Sequence, residues 1–292
     1  MVRWRVWPLW FLTLAVCPAV VAAEAYVDPV QPVSIGIRFV VDEGLAQAAG
    51  QRQATEAALQ RYVEELNGYY RDSRVVLRAE MVDVTFAQIS GKEATQILAD
   101  MEREQGGFVA MFRRANELGA DFTIAVHGHL MMQGRRGCGR AFAVNKTLAE
   151  FSSTRRAFAV IDFACGAHSL AHELGHLMGL NHGIAVDQCQ PGKGHKTAIA
   201  PYANGYAIGP CDGQPGPEKF GTIMVGGWMR AIQGNQKSLP LFSNPRLRDP
   251  RCGRSGICGD PVIGDEARAL NENACYYAAH EKPDPQCPHA GK

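Results

Sequence analysis

An α+β fold is predicted, and three features of the chain predict it. Up to residue 180, apolar residues follow strand and helix periodicities in the order β-α-β-α-β-β-α. After Gly179 the periodicity stops, and glycine, proline and cysteine dominate an irregular stretch. A final helical pattern runs from about Asp265 to His280. These shifts predict a leader over residues 1–23 and one domain over 24–292, divided into an upper subdomain (24–180) and a lower one (181–292).

Ser34 to Val41 is a short apolar run of buried-strand type, and Gln51 to Arg71 has the spacing of an amphipathic helix. Arg74 to Phe86 predicts a second strand region. Thr95 to Leu118 has helical spacing, with a break or kink expected at Gly106-Gly107. Asp121 to His129 and Ala157 to Phe163 are further predicted strands, leading into a helix from about Ser169 to Gly179.

That last helix carries HELGHLMGLNH, residues 172 to 182. His172 and His176 stand four residues apart, so on a helix they project from one face and can reach a single ion. Glu173 can take a proton from an activated water without occupying a ligand position. Gly179 permits a left-handed turn that brings His182 back to the same ion. Three imidazoles without cysteine fit a catalytic Zn²⁺ site better than a structural one, which is usually closed by four ligands and rich in thiolate.

The extended HExxHxxGxxH pattern resembles that of the metzincin zinc peptidases, in which a methionine turn follows downstream. Met224, in Gly221-Thr222-Ile223-Met224-Val225-Gly226-Gly227, matches that turn. Within the metzincins the chain is most similar to the bacterial reprolysin (adamalysin-like) group. Cys138-Gly139-Arg140-Ala141-Phe142 resembles that group's CGxAY strand segment, and Phe242-Ser243-Asn244-Pro245 its FSNP segment. Roughly residues 33 to 280 are covered. The resemblance implies a twisted mixed sheet above a cleft, a zinc helix at the cleft floor and an irregular, disulfide-braced lower subdomain ending in a helix. It also implies an endopeptidase using His172, His176 and His182 as zinc ligands and Glu173 as general base, supported by Gly179 and Met224. An extended substrate would pair with an edge strand including Ala141 to Val144, and Gly226 to Trp228 would line the pocket on the leaving-group side.

The chain departs from the pattern at two places. Many reprolysins carry aspartate after the third histidine, whereas this chain has Gly183; and Gly226 stands where some metzincins place a zinc-approaching tyrosine. Tyr202 and Tyr206 are therefore read as packing or pocket residues. Two readings from other classes remain: a zinc hydrolase acting on a non-protein substrate, and a catalytically idle zinc-binding or adhesion domain. Glu173 argues against the idle domain.

Arg3 and Arg5 before an apolar run from Trp7 to Val21, followed by Ala22, Ala23 and Ala25, have the layout of a secretory signal peptide, cleaved after Ala23 or Ala25. A lipoprotein reading at Cys17 is disfavoured by the bulky Val16 before it. Secreted or periplasmic location is the expectation, with no stable membrane association after cleavage. The remaining eight cysteines suit an oxidising compartment and four disulfides. Pairing of neighbours along the chain predicts Cys138 with Cys165, Cys189 with Cys211, Cys252 with Cys258, and Cys275 with Cys287. The first strand follows the leader too closely for a long inhibitory pro-segment.

Composition, 46% hydrophobic and 20% charged, is that of a globular protein with a sizeable core. The net charge of +1 loses the two positive charges of Arg3 and Arg5 with the leader, leaving −1. Nothing points to nucleic acid; the expected partner is a protein or peptide substrate. His127 and His129 flank Gly128 on a predicted strand and could suggest a second metal, but no third ligand is evident. His168 is read as a helix-start residue, His195, His280 and His289 as loop residues, and the Asn145-Lys146-Thr147 sequon as chance.

Overall fold

The computed structural model describes residues 32–48, 50–141, 157–183, 198–209, 216, 219–228 and 238–278. The leader, the sequon, His195, His280, His289 and four cysteines (Cys17, Cys189, Cys211 and Cys287) lie outside the described residues.

Strand β1 (Val33–Asp42) is buried along nearly its whole length, as a strand covered on both faces must be. Helix α1 (Gln51–Asp72) returns the chain to β2 (Leu77–Ala87), which pairs parallel with β1 around a bulge at Val82. The predicted second strand starts three residues late because Arg74, at φ 60°, still belongs to the turn that leaves α1. The helical stretch predicted over Thr95 to Leu118 is two helices, α2 (Ala94–Glu102) and α3 (Met111–Leu118), broken as expected at Gly106-Gly107, where a short 3-10 turn (Gly106–Phe108) lies between them. Next come β3 (Phe122–His127), a hairpin of β4 (Met131–Met132) and β5 (Arg135–Arg136), then β6 (Gly139–Ala141), β7 (Phe158–Asp162) and α4 (Gly166–Leu177).

The main sheet has the order β2-β1-β3-β7-β6. Its first four strands run parallel, and β6 closes the row antiparallel to β7. Side-chain alternation sorts the two faces. Ile35, Ile37, Phe39, Ile124, Val126, Ala159 and Ile161 meet α1 and α4, whereas Val40, Ala125, Phe158 and Val160 meet α2 and α3. At the far edge, Asn67 of α1 accepts from Ala79 N (2.7 Å) and donates to Ala79 O (2.9 Å), pairing backbone groups of β2.

The lower part contains β8 (Ala207–Ile208), β9 (Phe220–Gly221), β10 (Asn244–Arg248), β11 (Ile257–Cys258) and helices α5 (Glu266–Glu272) and α6 (Ala274–Ala278). The predicted C-terminal helix is thus interrupted at Asn273. The FSNP segment joins the two parts. Phe242 stacks on Tyr70 of α1 at 5.5 Å, and its N–H donates to Ser73 Oγ (2.8 Å). Asn244 donates to Ser73 O (2.9 Å). One apolar core consequently runs from the sheet through Met224 and Phe242 to Tyr277.

Cys138 pairs with Cys165, and Cys252 with Cys258, as predicted. Cys275 is also disulfide-bonded, to a partner outside the described residues. Strand β3 ends at His127, and the N–H of His129 donates to His127 Nδ1 (3.0 Å), so these two histidines form a turn and not one face of a strand. No helix among the described residues is long and apolar enough to cross a membrane.

Candidate active site

The motif helix α4 is anchored at its start. Buried Asp162, the last residue of β7, accepts from Ala164 N (2.9 Å) and Leu130 N (2.8 Å). Ser169 Oγ donates to Cys138 O (2.7 Å), and the Cys138–Cys165 disulfide ties β6 to the turn before the helix. His168, one turn ahead of the motif, bonds with Ser238 and stands apart from the other three imidazoles.

The helix ends after Leu177, with Gly179 at φ 83°. Gly179 N donates to His176 O (3.1 Å) and Leu180 N to Gly175 O (2.9 Å), the paired bonds of a Schellman ending. Tyr277 Oη, from α6, donates to Met178 O (2.7 Å). Asn181 is then held by residues 203–205: its N–H donates to Ala203 O and its carbonyl accepts from Gly205 N, each at 3.0 Å. The Asn181 side chain accepts from His182 N (2.8 Å). At Gly183 a Cβ would stand 2.1 Å from Gly205 O, so this backbone leaves no room for any side chain there, aspartate included.

These contacts bring His172, His176 and His182 together, their ligand atoms all within 4.8 Å of one another. His182 Nε2 lies 3.2 Å from His172 Nε2 and 3.1 Å from His176 Nε2. His172 Nδ1 faces Ile223 O (3.0 Å), and His176 Nδ1 faces Leu180 O (3.1 Å). A carbonyl only accepts, so each Nδ1 carries the proton and each Nε2 presents a lone pair to the common point. Burial, partly offset by the carbonyl contact, lowers the pKa of His172; burial and the neighbouring histidines depress that of His176 further. His182 is lowered to about 3, mainly by burial. Three neutral imidazoles aimed at one point fit a divalent metal, and no other such group exists among the described residues.

Glu173 is buried, and its Oε2 has no hydrogen-bond partner among the described residues. Burial pushes its carboxyl up to about 8, against the opposing charge of Arg140 on β6. A cation at the imidazoles would act in Arg140's direction and favour the ionised carboxylate. Met224 is fully buried in the 3-10 helix Ile223–Trp228. A Cβ on Gly175 would lie 2.4 Å from Met224 Sδ, so the thioether packs directly under the motif helix. Sequence reasoning missed Gly175. It also missed Ile223 and Leu180, whose carbonyls orient two imidazoles. Tyr202 and Tyr206 are engaged elsewhere, Tyr202 with Glu272 and Arg268, Tyr206 against Phe220.

Behind the turn lies Glu266, which sequence reasoning also passed over. Its Oε2 accepts from Ser243 N (2.6 Å) and Thr222 Oγ1 (3.5 Å), while Oε1 has no partner among the described residues. Burial raises this carboxyl to about 8 from 4.5. The folded state therefore binds the proton more tightly than the unfolded chain does. Its stabilising contribution is complete below pH 4.5 and is lost as pH rises through about 8. Glu266→Gln should raise thermal stability at pH 8, leave it nearly unchanged at pH 4.5, and flatten the stability profile between. Melting curves across that range test this, and an unchanged slope would contradict it.

The family model described as metallo-peptidase family M12, a reprolysin model, matches residues 33–225. A peptidyl-Asp metalloendopeptidase of Pseudomonas aeruginosa is 26% identical over 278 residues, covering 90% of this chain and 43% of that protein. One from Stenotrophomonas maltophilia is 27% identical over 252 residues, covering 85% and 53% respectively. The chain thus spans about half the length of the curated relatives it matches. A solved structure described as a chaperone–substrate complex contains a chain of similar fold, with a TM-score of 0.61 and 18% identity, over 87% of this chain and 36% of that one.

Proposed function

The chain belongs to metallopeptidase family M12, and on that footing we propose that it is an exported zinc endopeptidase in which His172, His176 and His182 hold the metal and Glu173 is the general base. The observation that carries this reading is the convergence of three imidazoles, two of them held with an Nε2 lone pair facing the common point, together with a buried carboxylate oxygen that has no partner among the described residues. A purely structural site has no use for that carboxylate.

Zinc, when bound there, supplies Lewis acidity toward the attacking water and the scissile carbonyl. Glu173 takes the water's proton at its free carboxylate oxygen during attack and passes it to the leaving amine as the peptide bond breaks. Ile223 and Leu180 fix the proton on Nδ1 of His172 and His176, keeping both rings in the ligand tautomer. Strand β6, last in the sheet order, offers its outer backbone groups to an extended peptide. Only Ala141 of the predicted 141–144 pairing segment lies within the described residues. The side chains of residues 226–228, the predicted pocket segment after Met224, lie outside those described. The disulfides among the described residues support an oxidising compartment, in keeping with the export expected from the signal-like layout of residues 1–23.

The relatives' name extends the proposal to cleavage at aspartyl residues. Digestion of a peptide library, with chelator and after zinc restoration, tests both parts. Cleavage should cease on chelation, return with zinc, and concentrate at bonds adjoining aspartate. Cleavage indifferent to chelator would overturn the metal assignment. No cleavage of any peptide by zinc-loaded protein would leave the idle-domain or non-protein-substrate readings.

A further inference from the structure

We propose that Gly139 is a positioning residue for Glu173: the missing side chain on the edge strand is the space in which the catalytic carboxylate sits. This rests on the reading of Glu173 as general base, but the contact behind it is geometric. A Cβ built on Gly139 would lie 2.6 Å from Glu173 Cγ, 2.6 Å from Oε1 and 2.9 Å from Cδ. All three distances are below those that real carbon contacts tolerate. One of these atoms, Cγ, belongs to the stem of the side chain, so a swing of the carboxylate alone does not remove the clash.

The backbone of Gly139 lies outside the left-handed region, in ordinary strand pairing with Ile161 of β7. An L-residue could adopt that conformation. Space and not conformational freedom therefore sets the residue type here, in contrast to Gly179. Neither side of the contact is free to retreat. Cys138, the preceding residue, is bonded to Cys165, and its carbonyl accepts from both Asp162 N (2.8 Å) and Ser169 Oγ (2.7 Å). Ser169 lies one turn before Glu173 on α4, so the same atoms clamp strand and helix at a fixed separation. An added methyl group must then be absorbed by Glu173 itself, moving its carboxylate from the position it holds against β6.

The test is a double-mutant cycle on the zinc-loaded protein, using Gly139→Ala, Glu173→Ala and the combination. Gly139→Ala should lower the melting temperature when Glu173 is present. In the Glu173→Ala background, where Cγ, Cδ and Oε1 are gone, it should cost little. Zinc content should be unchanged throughout. In the active background Gly139→Ala should lower kcat by at least about tenfold, within the range a ~1 Å displacement produces, with KM nearly unchanged. Equal loss of melting temperature in both backgrounds would overturn the proposal, since Gly139 would then matter to the strand and not to Glu173. A rise in KM with kcat intact would also overturn it, placing the role of Gly139 in substrate passage. If Gly139→Ala alone fails to fold, folding of the combined variant supports the contact and its failure refutes it. Because the stability cycle needs no turnover, it stands or falls separately from the assignment of peptidase activity.

Discussion

Glu173→Gln is expected to keep its zinc and its fold while losing at least about a hundredfold in peptidase turnover, the scale of a positioned acid/base group. The amide keeps the shape of the side chain and its contact with Gly139, so the metal ligands and edge strand have no reason to move. It removes the one thing the mechanism uses, a basic oxygen. The same substitution relieves the cost of holding a carboxylate in a buried position, where burial already pushes its pKa up to about 8. Stability of metal-free Glu173→Gln should therefore equal or exceed that of the unaltered metal-free protein at neutral pH. Loss of activity together with undiminished zinc and stability separates a chemical role from a structural one. Near-normal turnover by the metal-loaded variant would remove Glu173 from the mechanism.

Much of this arrangement is legible from spacing alone. His172, His176, Gly179 and His182 lie within eleven residues, so helix geometry and one left-handed turn place them with little help from the rest of the chain. The succession of the main strands and helices along the chain up to α4 is equally legible, because buried parallel strands leave unbroken apolar runs such as that of β1, whereas their order in the sheet is not. The contacts that orient the site are of another kind. Ile223 O reaches His172 across 51 positions, and the FSNP segment reaches Ser73 across about 170. A backbone carbonyl carries no residue-type signal, and a serine that pairs with distant backbone looks like any other serine. Gly139 and Gly175 are close-approach positions whose neighbours are Glu173 and Met224, and only tertiary packing makes them so. Resemblance flagged the CGxAY and FSNP segments. Their physical content, room for a carboxylate in one and a clamp between α1, Glu266 and the turn in the other, required coordinates.

Gly179→Val should weaken zinc binding almost as severely as His182→Ala, although it removes no donor atom. Two independent costs act at this position. At φ 83° a β-branched residue is strongly disfavoured, and a Cβ would stand only 2.1 Å from Ile199 Cγ2. Ile199 cannot simply withdraw, since its N–H donates to Gly179 O at 3.0 Å. Relief must come from unwinding the Schellman ending, and that frees Leu180, whose carbonyl orients His176, together with the segment that carries His182. Two of three ligands are then disturbed by one methine. Zinc affinity should fall by at least about tenfold, the loss typical of removing outer-shell support. Met224→Leu is the contrasting variant. It keeps approximate volume beneath the helix and touches no ligand donor, so zinc should remain bound with a stability loss below about 1.5 kcal/mol. Elemental analysis after dialysis against a weak chelator, run on all three variants, separates these outcomes. Adding Ile199→Ala to Gly179→Val removes the clash but not the dihedral strain and should restore binding only in part. Full zinc retention in Gly179→Val would show that His182 reaches the metal without the left-handed turn, and the three-histidine site would lose the glycine on which its geometry depends.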